Sequence, residues 1–254
     1  MRQTNSPAPS PRRSLPVLLA LALLWLLPSH LASPTAPTAS AQRFGAKEVR
    51  NLEWHRIATE AGITVFAKEH ETIDLPSFRA VGHVNAPLFH VMAVLEDAEA
   101  FPNWVERCAE SRELVRTSET SGVLYSRTKV PWPVSDRDVV LDVRFTYDRE
   151  AGEVVSRFVA TRHPQAPTVN GVVRMRRLVG HVRLKAVGPA RTHITYEVNA
   201  DPGGMIPKWL AKMVSREIPL KTVKALRKRV VAVGGRYDQR IARWEATLGR
   251  PTGI

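Results

Sequence analysis

The sequence predicts an α+β domain in which an antiparallel sheet carries one long helix across it, and three observations predict it. From Ser111 to Val198 apolar and polar residues alternate through six successive segments joined by short turns, as half-buried strands of a meander do. After Pro207 an apolar stripe made of Leu210, Met213, Val214, Ile218, Val223, Leu226 and Val230 follows helical spacing. No repeat of 20 to 50 residues divides the chain, so the meander and the helix belong to one domain. A sheet with one long helix across it encloses an interior that side chains or a ligand must fill.

In chain order, Lys47–Thr59 carries Val49, Leu52 and Ile57 at near-helical spacing and predicts a helix ended by Gly62. Ile63–Lys68 and Phe78–Val84 predict two strands. Asn85 is a candidate N-cap with Pro87 in the first turn, and the stretch to Leu95 sets Leu88, Val91, Met92 and Leu95 on one buried face. The meander strands are Glu113–Arg116, Val123–Lys129, Val139–Tyr147, Val154–Thr161, Val172–Leu184 and Thr192–Val198. Pro207 opens the last helix, and Pro219 kinks it because its ring removes a backbone donor.

Residues 1–41 read as an export segment and linker. Arg12 and Arg13 precede an apolar run from Leu15 to Leu27, and Ala39-Ser40-Ala41 supplies small residues for a signal peptidase. The run falls short of the roughly 20 residues that span a bilayer, so a cleaved signal and a periplasmic or secreted protein are expected, with an uncleaved N-terminal membrane anchor as the alternative. Arg12-Arg13-Ser14-Leu15 weakly resembles a twin-arginine signal. Pro28 to Ala41 is Pro, Ala, Ser and Thr, too polar to order itself. Residues 42–232 form the expected domain, and 233–254 a helical extension or tail.

The formal charge is +13, a balance that attracts nucleic acid or an anionic membrane surface. Zinc spacings and RNA-binding signatures are absent from the sequence, so nucleic acid is not expected as a partner. Cys108 is the only cysteine. An internal disulfide is therefore impossible, and Cys108 reads as a small packed apolar group rather than a reactive thiol.

Two short motifs carry the most information. In Tyr125–Arg144, YSRTKVPWPVSDRDVVLDVR, Pro131 and Pro133 break strand pairing and force a turn, with Trp132 expected to pin it through its apolar surface. Arg137 and Asp138 are neighbours on a strand, so at most one faces the interior; both are read as bonding the turn to its surroundings. In Asp201–Leu210, DPGGMIPKWL, Gly203 and Gly204 permit a tight reversal before Pro207, and Trp209 is expected to pack the helix on the sheet, or else to meet a membrane interface.

Together these motifs resemble START domains, in particular the phosphatidylcholine-transfer-like branch. The resemblance, over about residues 48–232, implies the helix-grip fold shared by START and Bet v 1-like proteins. In that fold a curved antiparallel sheet wraps around a long C-terminal helix and encloses an apolar tunnel for a lipid or sterol. It also implies a lid made by that helix and a loop between central strands, here Trp132, Arg137, Asp138, Trp209 and Met213.

One face of the central strands, Val139, Leu141, Val143 and Phe145 beside Leu124, Ser126 and Thr128, with Leu178 on a later strand, gives an apolar cavity with two hydroxyls. Some family members place a buried Arg where Val143 stands. The aromatic cage of phosphatidylcholine-binding members falls on Ser126, Val139 and Leu178. Choline lipids would lose cation–π contacts of about 0.5 to 2 kcal/mol each there, and are disfavoured. Arg174 or Arg176 is a candidate for an anionic head group, with a solvated outer face as the alternative.

Lys208, Lys212, Arg216, Lys221, Lys224, Arg227, Lys228 and Arg229 surround the helix's apolar stripe and suit an anionic membrane surface. The expected function is binding and transfer of a hydrophobic ligand. The alternatives are a cyclase- or hydrolase-type enzyme of the helix-grip superfamily and a lipid-sensing scaffold that does not transfer. No GxSxG elbow or metal-ligand histidine spacing occurs, so neither a catalytic residue nor a metal or cofactor is expected. Glu113, Asp142, Arg174 and His181 are the set a catalytic reading would need to converge.

Overall fold

A computed structural model describes residues 53–70, 76–204 and 207–252. The expected export segment and linker, the first part of the expected helix at Lys47–Thr59, and Met205 and Ile206 of the second motif lie outside the described residues.

Where it is described, the Lys47–Thr59 stretch is not helical. His55–Glu60 is strand β1, paired antiparallel with β2, Ile63–Lys68. Ala61 and Gly62, at φ 52° and 67°, reverse the chain in two residues, as the tight hairpin turns with positive φ at both positions require. This hairpin overrides a helical period that rested on Ile57 alone within the described residues. β3, Ser77–Val84, follows and pairs with β2.

Helix α1, Leu88–Glu96, buries Leu88, Phe89 and Val91–Val94 against the sheet. Pro87 stands at its N-cap, and no side chain caps it, so Asn85 does not play the expected part. A 3₁₀ turn at Ala98–Asn103 leads into the meander: β4 Cys108–Ser118, β5 Ser121–Thr128, β6 Asp136–Asp148, β7 Glu153–Ala160, β9 Arg177–Gly188 and β10 Arg191–Asp201. The expected strand Val172–Leu184 is split. Its first part, β8 Val172–Arg174, pairs parallel with the start of β6, and Met175 N–H donates to the Asp138 carbonyl at 2.8 Å. Among the described residues the strands form one ten-stranded sheet, β1-β2-β3-β10-β9-β7-β6-β5-β4, with β8 beside β6.

The long helix runs from Lys208 to Ala232 as α2 (Lys208–Lys212), a π-helical turn (Met213–Glu217) and α3 (Ile218–Ala232). The widened turn lies directly before Pro219, which has no N–H for the carbonyl four residues back. Leu220, Val223, Leu226 and Val230 of α3 join β2, β3, β9, β10 and α1 in the main core.

The segment after Val233 also packs there. A 3₁₀ turn, Gly234–Tyr237, precedes α4, Asp238–Leu248, and Tyr237, Ile241 and Trp244 are buried in that core. Trp244 meets Phe89 with ring centroids 6.1 Å apart, and Tyr237 O–H donates to Asp97 at 2.7 Å. These contacts join the residues set apart as a tail to the same core as the rest.

Candidate ligand-binding cavity

Strand register builds one wall of the cavity. β5 and β6 pair so that Leu124 faces Leu141 and Ser126 faces Val139, which brings alternate side chains of both strands to one face. Across from them lie the 3₁₀ turn and α3. The space between them is about 270 Å³, and Leu124, Ser126, Thr128, Val139, Leu141, Val143 and Leu178 all line it. Phe145 does not. It is buried in the main core and walls a smaller side pocket of about 80 Å³.

Several wall residues had escaped the sequence reading. Phe158 and Tyr196 face inward from β7 and β10 in plain period-two alternation with Ser156 and Ile194, a signal that was present but not followed. Phe101 and Trp104 come from the 3₁₀ turn, where no period marks them; their rings meet edge to face at 5.6 Å. The cavity is thus partly aromatic, although not at Ser126, Val139 or Leu178. Burial pushes the Tyr196 phenol up to about 12, which keeps it neutral and able to donate. Burial likewise raises the Cys108 thiol, in agreement with a packed cysteine. Glu106, at the cavity edge, is ion-paired to Lys221 at 3.4 Å.

Two buried polar atoms in this wall, Trp104 Nε1 and Thr222 Oγ1, make no hydrogen bond to the protein, and the same holds for Glu96 Oε1 in the side pocket. Buried polar groups without partners are uncommon, and these three belong to residues that line the two spaces.

The motif residues stand around this cavity rather than in it. Arg137 is buried and donates to the carbonyls of Ser135, Pro202 and Gly203 at 2.5, 3.4 and 3.2 Å, so one side chain ties the first motif to the second. Gly203 and Gly204 both sit at positive φ, 68° and 69°, where a side chain would be strained. Asp138, 1% exposed, accepts from Arg174 at 2.7 and 2.9 Å and from the Tyr125 hydroxyl at 3.2 Å. Arg174 is therefore committed to Asp138, and Arg176 is exposed; neither lines the cavity.

Trp132 does not pin its turn: it is 91% exposed. Val130 and Val134 do that work, packing with Leu210, Met213, Val214 and Ile218 of the long helix. The flanking prolines hold the turn out from the sheet, and the indole goes with it. Trp209 is 41% exposed while the adjacent Leu210 is buried, so Leu210 provides the packing expected of Trp209. Met213 is buried in this cluster and does not line the cavity.

The expected basic face of the long helix is partly used up. Lys221 pairs with Glu106 and Glu217, Lys224 with Glu60, and Arg227 donates to the carbonyls of Ala61, Gly62 and His83. Arg216 remains exposed. The possible catalytic set does not converge. Asp142 and His181 line a groove on the outer face of the sheet, Glu113 pairs with Arg116, and Arg174 pairs with Asp138. Among the described residues no cluster suits a metal ion, and no helix is long and apolar enough to cross a membrane.

The sequence matches the START domain over residues 41–234. An uncharacterized protein of Pseudomonas aeruginosa is 32% identical over 69% of this chain and 85% of its own length. The phosphatidylcholine transfer protein of Bos taurus is 26% identical over 64% of this chain and 77% of its own. A crystal structure of a STAR-related lipid transfer protein from Xanthomonas axonopodis superposes with a TM-score of 0.62 at 33% identity, covering 70% of this chain and 98% of the other. The match to the START domain ends within the turn before α4.

Proposed function

This chain belongs to the START domain family, and we propose that it binds one lipid or sterol-like molecule in its cavity and carries it between membranes. The observation that carries this reading is an apolar space of about 270 Å³ between the sheet and the long helix, with Ile218, Thr222, Val223 and Leu226 of that helix in its wall. A hydrocarbon chain gains about 0.8 kcal/mol for each methylene buried, so such a space retains a ligand with few polar contacts. Transfer proteins among the relatives agree with the reading.

The proposed entry route is a movement of the long helix. The π-helical turn before Pro219 is a ready place for it to yield, because that segment already departs from α-helical bonding. Trp132 and Trp209 stand exposed beside the same Val130–Leu210 contact, and indole rings favour the membrane interface. With Lys129 and Arg216 also exposed, this end of the domain is the proposed face that meets an anionic membrane. Export beyond the cytoplasm is part of the proposal and rests on Arg12, Arg13 and the apolar run after them.

Mass spectrometry of organic extracts, made from protein purified without denaturant, tests the reading. A stoichiometric hydrophobic compound is expected, lost when Leu141→Glu and Val143→Arg fill the cavity. The extracted compound should pass from donor to acceptor vesicles, more slowly with Trp132→Ala, which should still retain it. Protein that is empty and takes up no added lipid overturns the proposal.

A further inference from the structure

Glu96 ends α1 and lines the side pocket, and its Oε1 is buried without a hydrogen-bond partner. The side pocket shares Leu95, Leu124, Val143, Ser156 and Val182 with the main cavity, so the two spaces adjoin. Two other acids line these spaces, and both are paired: Glu106 of the main cavity with Lys221, and Glu113 of the side pocket with Arg116. Among the described residues Glu96 has no such salt bridge. The charged groups that face it are Glu113 and Arg116 on β4, Glu119 in the following turn and Arg240 on α4, and Arg116 is bonded to Glu113. Val143, in the same pocket, offers no charge.

Resting on the proposed function, we infer that Glu96 recognises the polar end of the ligand, and that the ligand is a neutral hydrocarbon whose hydroxyl group sits in the side pocket. Burial pushes the Glu96 carboxyl up to about 7, so near neutral pH it is shared between a form that donates and accepts and a form that only accepts. A hydroxyl suits both forms, since it too donates and accepts. An ammonium group would have to be stripped of water into a pocket where Met92, Leu95, Val123, Phe145 and Val154 are apolar and the second carboxylate, Glu113, is already held by Arg116, which is costly.

The test is displacement of cavity-bound 1-anilinonaphthalene-8-sulfonate from the full folded protein by 1-hexadecanol, its methyl ether and hexadecylamine. The ether keeps an acceptor oxygen and loses the donor. The alcohol should bind about tenfold more tightly than the ether at pH 8, and the ratio should shrink toward pH 5, where a protonated carboxyl can donate to the ether. Glu96→Leu should bring the ratio to about one while the ether still binds. Glu96→Gln should leave the ratio the same at both pH values.

A ratio that ignores pH in the wild type, or that survives Glu96→Leu, overturns this inference while leaving the cavity reading intact. Tighter binding of the amine than of the alcohol overturns the ligand class. Failure of all three probes to displace the dye removes the proposed function and this inference with it. Should Glu96→Leu not fold, the wild-type pH series and the nearly isosteric Glu96→Gln still decide.

Discussion

The two walls of the cavity are built differently. On the sheet side, β5, β6 and β9 contribute Leu124, Val139, Leu141, Val143 and Leu178 with the hydroxyls of Ser126 and Thr128. Among the described residues, none of the buried polar atoms left without a partner belongs to a sheet residue lining either space. On the helical side, the end of α1, the 3₁₀ turn and α3 contribute Glu96, Trp104 and Thr222, each with such an atom. The difference separates shape from recognition. Strands locked by a ladder fix the volume and add the Ser126, Thr128 and Tyr196 hydroxyls, whereas the wall residues with a buried, unpartnered polar atom stand on helices and turns.

The sharpest way to break that comparison is to loosen the sheet wall without touching the cavity. Asp138 holds Arg174 and Tyr125 at the junction of β5, β6 and β8. Asp138→Ala leaves a guanidinium, 16% exposed in the native pair, without its carboxylate. Breaking a buried pair in this way costs about 3–5 kcal/mol, read as a lowered urea midpoint. The alcohol-to-ether ratio of the protein that remains folded should be unchanged if recognition lives on the helical side. A changed ratio would place recognition on the sheet.

The helical wall should also cost stability, in proportion to pH. The Glu96 carboxyl titrates at about 7 when folded against an ordinary 4.5, so the folded state holds a proton that the unfolded chain has lost. Its contribution is therefore fully present below pH 4.5 and disappears as pH rises through 7. Above pH 7 the ionised group costs on the order of 3 kcal/mol. Glu96→Gln should consequently gain on the wild type as pH rises from 4.5 to 8, a difference measured by parallel urea titrations. Burial also lowers His83, His181 and His193, which penalises folding as pH falls below 6.5, but these groups are common to both proteins and cancel in the difference.

The two walls were also unequally legible in the sequence. Period two carries a residue's face with it, so Leu124, Ser126, Val139, Leu141 and Leu178 could be placed from alternation alone. The same rule applied to Phe145 ran one step too far, past the end of the main cavity. Phe101 and Trp104 lie in a short 3₁₀ turn, which has no repeat long enough to reveal a buried side. Glu96 is absent from the sequence reading, since nothing local indicates that the charges of Glu113, Arg116 and Arg240 act on it. The charges of the long helix misled for a related reason: Glu60 and Glu106, which pair with Lys224 and Lys221, are more than a hundred residues away. Trp132 was read by its hydrophobicity alone, although a turn held by two prolines can project its side chain away from any core.

The smallest expected effect probes the sheet wall from within. Cys108 opens β4 and lines the main cavity, its thiol close to the Glu110 carbonyl at 3.4 Å. Since burial raises its pKa and only the thiolate reacts, iodoacetamide at pH 8 should label it several-fold more slowly than a free peptide cysteine. Filling the cavity should slow it again, followed by intact mass against time. A rigid sheet wall gives one slow rate that falls smoothly with ligand occupancy. Labelling as fast as that of the free peptide, indifferent to ligand, would mean that this wall opens to solvent, and the division between a fixed sheet side and a recognising helical side would be lost.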